Sequence, residues 1–416
     1  MTRSECRATL GQVVQVSSLW VVILAVVVGS GRVLAAEVVE KEVKKLGSVP
    51  ADLVVSGDGT RVAFVTRKDA GQVVVCDGKE GPACDQVKNL TFSGNGKVLA
   101  YAASKDNRWC IVAASKPGPA HSDVEGPALS YDGTVLAYYS SEGGTTGTVY
   151  VNGAPREHQT AVGKVAPVVS PNGRVAFVAR GSGTFGKATS GSGSGGTRSS
   201  TWGVTDTVDR RLYVVCDRSR GKLYNDLRRP VFSPDSQRLA YAALFEGKWF
   251  IVCDKDQVGG PHEEVSDPVW SSNSGKIAYA ARNGDQWFVV SPGRRYGPVE
   301  AVGLMAFSDR GRHLAYAAGK GGRQLLACDG KNGPAFDKVH WIAFSENEQH
   351  LACVVEQNRE WLMVVDGVPG PRHARVYPLE NAALGGKLRY VAVDGGEARL
   401  LEVTWPASGD WRNAPE

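Results

Sequence analysis

The chain has 416 residues, 42% hydrophobic, 8% aromatic and 22% charged, with 48 basic and 43 acidic side chains and a formal net charge of +5. A near-neutral balance in a chain this long does not call for nucleic acid or an anionic membrane as partner. With 50 glycines and 20 prolines, and no sustained 3.6-residue apolar period after the amino terminus, long amphipathic helices are excluded as well.

Residues 1–36 read as an export signal. Arg3 and Arg7 precede an apolar core from Leu19 to Gly29, and small residues surround Val33-Leu34-Ala35-Ala36. The core is shorter than the roughly 20 apolar residues of a spanning helix, so the sequence predicts cleavage rather than a retained integral membrane anchor. Loss of Arg3, Arg7, Arg32 and Glu5 would lower the net charge from +5 to +3.

Residues 37–405 are predicted to form one all-β domain. Serines at 56, 93, 130, 170, 233, 271, 308 and 345 recur at steps of 37 or 38 residues in five of seven cases. Each opens a Pro/Gly/Asp/Asn-rich tetrapeptide such as Ser170-Pro171-Asn172-Gly173, the composition of a type I turn. An Ala/Tyr-rich run follows, such as Leu239-Ala240-Tyr241-Ala242-Ala243, whose unbroken apolarity predicts a strand covered on both faces. Then come a Trp/Val-rich strand, such as Trp249 to Cys253, and a Gly-Pro strand. Four short strands in about 37 residues match a β-propeller blade of four-stranded antiparallel sheet. Recurrence in separate blades assigns the turn aspartates and the tryptophans to packing rather than to catalysis or a ligand cage.

Between Arg180 and Arg211 the fourth unit carries a flexible insertion, Gly/Ser/Thr-rich at first and then bearing Trp202, Asp206, Asp209, Arg210 and Arg211. Insertions in repeat proteins emerge on one face, often the binding face, and these five residues are the candidate partner-binding loop. After the eighth unit, Leu388 to Val393 and Leu400 to Val403 resemble two further strands, and Val38 to Val43 is a spare strand near the other end. Eight complete repeats plus a composite ninth blade closed by the termini, or eight blades with an extra hairpin, both remain open at this point. Residues 406–416 are read as a tail.

Cys76, Cys216, Cys253 and Cys328 occupy one strand position and are expected to be small buried residues. Cys76 and Cys84 flank a predicted hairpin turn and form a candidate disulfide in an exported protein. Seven scattered histidines, read as solvated, show no metal-ligand spacing, and no nucleophile motif Gly-x-Ser-x-Gly occurs. No cofactor or metal is expected.

The phrases Phe232-Ser233-Pro234-Asp235 and Leu239-Ala240-Tyr241 resemble the TolB-type WD40-like (PD40) β-propeller repeat family over roughly residues 50–378. Val75 to Pro82, echoed at Ala327 to Pro334, is similar to exported bacterial members without an attached enzyme domain. A rigid stack without assignable chemistry, one irregular insertion and an export signal together point to a periplasmic or extracellular, non-enzymatic and monomeric module that binds a protein or cell-envelope component. Two alternatives stand beside it: a lyase or glycosidase with its site on one face of the central channel, and a module sensing a small molecule or metal.

Overall fold

The computed structural model describes residues 38–49, 53–143, 146–156, 161–162, 166–180, 211–379, 386–406 and 411. They form a β-propeller of nine four-stranded antiparallel blades, with no α-helix among the described residues. We number the blades 1 to 9 along the chain and letter their strands a to d from the channel outward.

Blade 1 shows the plan: Val54–Val55, Val62–Lys68, Gly71–Cys76 and Lys79–Cys84 pair in chain order. The a-to-b turn closes with Gly59 N–H donating to the Ser56 carbonyl at 2.8 Å, and the other turn serines make the equivalent bond. All eight are buried. In seven of them the hydroxyl donates to the Asp or Asn two residues on, at 2.5 to 3.0 Å, and accepts a backbone N–H at the start of strand b. The predicted turn is therefore formed, and its aspartates serve the serine.

Strand b is covered on both faces. Ala100, Ala102, Ala240, Ala242, Ala315 and Ala317 are wholly buried, and the tyrosine between each pair of alanines leans on the preceding blade. Tyr138 of blade 3 packs with Ala102 and Ile111 of blade 2, and Tyr241 of blade 5 with Val178 and Val214 of blade 4. Small alanines and one large ring per strand let neighbouring sheets interlock without voids. The glycine of strand d belongs to the same fit: a methyl at Gly259 would overlap the Tyr279 hydroxyl of the next blade.

The ring closes as a composite ninth blade, which decides between the two predicted arrangements. Arg375–Pro378, Lys387–Asp394 and Glu397–Thr404 supply strands a to c, and the amino-terminal strand Glu40–Ser48 pairs as strand d. Val38 and Val49 flank that strand and join a core containing Met363, Leu388, Tyr390 and Leu400. Pairing the two ends removes the free sheet edges an open ring would expose.

The insertion leaves and rejoins blade 4 in register. Strand b, Val175–Arg180, and strand c, Leu212–Cys216, pair from Ala176 with Cys216 down to Arg180 with Leu212. The connection thus springs from a hairpin tip on the face that carries the b-to-c turns.

A candidate binding site in the central channel

Most polar side chains repeated along the chain are engaged in the framework. In blades 1, 4 and 5 an arginine before strand b ties together an aspartate, a cysteine sulfur and an aromatic ring of the next blade. Arg61 meets Asp77 at 2.7 Å, Cys76 Sγ at 3.2 Å, and the Gly96 and Lys97 carbonyls of blade 2 at 2.8 and 2.9 Å, and lies over Phe92. Arg174 repeats this with Asp217, Cys216, two carbonyls of the next turn and Phe232. Arg238 meets Cys253, Asp254 and Trp270.

The strand-c cysteines are thus sulfur acceptors as well as packing residues. Burial, then the neighbouring aspartate, pushes the Cys216 and Cys253 thiols up to about 11, which keeps them protonated and unreactive. Cys76 and Cys84 do not form the expected disulfide. Across the c–d hairpin Cys84 stands opposite Gln72 and Cys76 opposite Lys79, so the two lie at opposite ends of the hairpin, and both are free thiols.

The histidines are also framework residues, which corrects their reading as scattered and solvated. His313 and His350 take the place of the arginine and bind Asp329 and Asp366, each at 2.6 Å. His121, His262 and His373 stand opposite Trp109, Trp249 and Trp361 on the neighbouring strand. His158 lies outside the described residues. The spacing of 16 residues from Arg61 to Asp77, Arg238 to Asp254, His313 to Asp329 and His350 to Asp366 was the sequence signal that this role carried.

The strand-c tryptophans have their ring faces occupied by the chain itself. Lys88 lies 4.6 Å from the Trp109 centroid, Arg228 5.1 Å from Trp249 and Arg375 4.2 Å from Trp361, whose ring also stacks on His340 at 3.8 Å.

A different set of polar groups faces the channel. A cavity of 600 Å³ is lined by Asn89, Glu125, Gly126, Pro127, Ala166, Leu227, Arg228, Arg229 and Asp267, drawn from the innermost strands of blades 2 to 6. Asn89, Gly126, Ala166, Arg229 and Asp267 each stand four residues before a turn serine. In blades 3 to 6 the next residue is proline, which has no N–H to give the ladder. Strand a is accordingly split in blade 5 into Asp226–Leu227 and Val231–Phe232, and in blade 6 into Glu264–Val265 and Val269–Trp270. At the breaks Arg228 and Ser266 each keep an N–H bond to strand b, at 3.0 and 2.8 Å, and the residues that follow them, Arg229 and Asp267, line the cavity. In blade 7 the same position holds Leu304, 45% exposed on an innermost strand, which ends the polar arc.

Within the arc, Lys88 pairs with Asp123 at 3.3 Å and Glu125 at 3.5 Å, and Arg228 with Glu264 at 3.4 Å, which also holds Arg282 at 3.0 Å. Asp267 is accessible to solvent yet walled by protein. That desolvation pushes its carboxyl up against the pull of Arg228 and Arg229. No residue of this site was predicted from the sequence. The signal was the residue before proline at the fourth position ahead of each turn serine.

Of the residues expected to bind a partner, Trp202, Asp206, Asp209 and Arg210 lie outside the described residues. Arg211, half-buried, directly precedes strand c of blade 4. No group of three or more His, Cys, Asp or Glu that could hold a metal occurs among the described residues. No helix among them is long and apolar enough to cross a membrane.

The sequence matches no family model and no curated protein. Solved structures similar to it include β-propellers. The Dos1 propeller is 9% identical with a TM-score of 0.42, over 89% of this chain and 95% of that one. TolB from Acinetobacter baumannii is 10% identical with a TM-score of 0.31, over 84% and 80%. The β-propeller domain of the trilobed protease from Pyrococcus furiosus is 12% identical with a TM-score of 0.36, over 69% and 94%. At such identities the likeness concerns the fold alone.

Proposed function

We propose that the protein is an exported, non-enzymatic propeller, periplasmic or extracellular and monomeric, that binds a protein or a cell-envelope component through the face bearing the b-to-c turns. The observation carrying this reading is the connection between 180 and 211. It interrupts one hairpin tip while Arg180 and Leu212 on either side remain paired, so the blade's b–c hairpin keeps its register across it. Extra chain at a hairpin tip costs little stability and is free to be shaped by a partner. Export rests on residues 1–36, and amino-terminal sequencing of the protein from fractionated cells tests it.

The face assignment is tested by replacing 181–210 with a two-residue turn. The hairpin register predicts that the variant folds with an unchanged melting temperature. Site-specific photo-crosslinking from the hairpin tips of blades 3 to 5, in living cells, is then compared between parent and variant. A crosslinked product that depends on the connection supports the assignment. Identical products from both chains, or products only from the opposite face, reject it.

A further inference from the structure

In the channel arc, charge is matched nearly everywhere. Lys88 answers Asp123 and Glu125, Glu264 answers Arg228 and Arg282, and the Asn89 amide donates to the Gly126 carbonyl of the next blade at 3.1 Å. Two side chains stand outside this matching. Arg229 and Asp267 occupy the same ladder position of adjacent blades and line the same 600 Å³ cavity, yet they do not meet within ion-pair distance of each other. Among the described residues neither side chain has a hydrogen-bond partner. Asp267 gains only the long-range field of the two arginines, set against its desolvation.

A cation and an acid held apart on the wall of a cavity this size form a receptor for a ligand whose own charges are separated in the opposite order. A single anion would satisfy Arg229 but sit against Asp267 and Glu125, and a single cation would meet the reverse. We propose that the channel waist binds a zwitterion of the short-peptide class, with its carboxylate on the Arg229 guanidinium and its terminal ammonium on the Asp267 carboxylate. Planar guanidinium suits a carboxylate through two parallel N–H donors, and a compact ammonium suits a single carboxyl. Arg228, fixed by Glu264 and by the Trp249 face, holds the cationic side of the cavity in shape. This inference is independent of the partner-binding face, which lies at the hairpin tips.

The test is calorimetric titration of the purified chain with trialanine, with N-acetyl-trialanine and trialanine amide as probes lacking one charge each. Trialanine is expected to bind, and each capped probe to bind at least about tenfold more weakly, the usual effect of losing one charged hydrogen bond. Arg229→Ala is expected to weaken trialanine and the acetylated probe by a similar factor while leaving the amide's already weak binding unchanged, and Asp267→Asn to weaken trialanine and the amide while leaving that of the acetylated probe unchanged. Both residues are accessible, so melting temperatures without ligand should match the parent, which separates lost binding from lost fold. No binding of trialanine at millimolar concentration, or equal binding of all three probes, overturns the proposal. So does binding that survives both substitutions. Crosslinked products unchanged by removal of the connection, with trialanine binding intact, would count against the face assignment and leave this site standing.

Discussion

Blades 1, 4 and 5 send an arginine across to the next blade, whereas blades 7 and 8 carry histidine at the same place and receive a tryptophan from the carboxy-terminal segment. Arg61, Arg174 and Arg238 lie over Phe92, Phe232 and Trp270, the residue just before the next blade's serine. In blade 8 that residue is Phe344, and Trp411 packs edge-on against it at 6.2 Å and against His313 at 5.3 Å. Trp405 stacks on His350 at 5.8 Å. An imidazole reaches its aspartate but is too short to reach the neighbouring turn, so the junction is completed from outside. What the fold needs there is a flat group over the junction, and either a guanidinium or an indole supplies it.

The largest effects should come from removing the indoles. Trp405→Ala is expected to cost about 3 to 5 kcal/mol in urea unfolding, as for other buried aromatic truncations. Trp411→Ala should fall at the low end, because a 520 Å³ cavity lined in part by Lys331, Asn332 and Asp366 already lies beside it. A loss below about 1 kcal/mol for both would mean that the segment rests on the ring without holding it. Next comes Glu348, 4% exposed, which crosses from blade 8 to accept from the Ser308 hydroxyl at 2.6 Å and the Arg310 N–H at 2.8 Å. Its substitution by alanine leaves a buried hydroxyl unpaired and is expected to cost about 3 kcal/mol, clearly more than Asp235→Ala, whose carboxylate is exposed. Equal losses would erase the distinction between cross-blade and in-blade partners.

Arg238→Ala should cost about 1 to 2 kcal/mol, since the side chain is partly exposed but its contacts are several. His350→Arg sharpens the comparison further. With Trp405 in place the longer side chain is overpacked and the variant loses stability; with Trp405→Ala the arginine regains part of the loss. The coupling between the two changes should reach about 1 kcal/mol in a double-mutant cycle. Additive losses would show that indole and guanidinium do not compete for one place.

The repeated parts of the molecule were legible because each is local. A serine, its Asp or Asn two residues on and a small-large-small strand specify a turn and a packing layer within a dozen residues, and the serine turn recurs in eight of the nine blades. Less legible was whatever depends on what a neighbouring blade contributes. His313 reads as an ordinary surface residue until Asp329 and Trp411 stand beside it, and Ser308, with Arg310 where its seven counterparts have Asp or Asn, takes its acceptor from Glu348 of the next repeat. Arg229 and Asp267 are unremarkable as letters, because the proline that frees each from its strand acts through the missing ladder bond. The Cys76–Cys84 pairing failed for a related reason: nearness in sequence across a turn says nothing about which residues a register sets opposite each other.

A third kind of histidine junction lies at ring closure, and its effect should be smaller and graded with pH. His373 is buried between Glu40 of the amino-terminal strand, at 3.0 Å, and Asp394 of the last hairpin, at 2.7 Å; Tyr390 donates to the same Glu40, and Arg399 reaches Asp394 at 2.6 Å. Burial alone would push the imidazole down, but the hydrogen bonds and charges of Glu40 and then Asp394 outweigh it and raise it above the ordinary histidine value. Only the imidazolium can donate to both carboxylates at once. A raised folded value means that this contribution is complete below about pH 6.5, where histidine is also charged in the unfolded chain, and is lost as pH climbs through the folded value. For Asp394 the direction is opposite. Desolvation is outweighed by His373, the Ala374 N–H and Arg399, its carboxyl is held low, and its contribution is lost as pH falls. The melting temperature should therefore decline as pH rises above about 6.5, and His373→Gln should flatten that decline while leaving the Trp405 and Trp411 effects unchanged. An alkaline limb of undiminished slope in the variant would place the titrating group elsewhere and leave the amino-terminal strand held by its backbone pairing and by Val38 and Val49 alone.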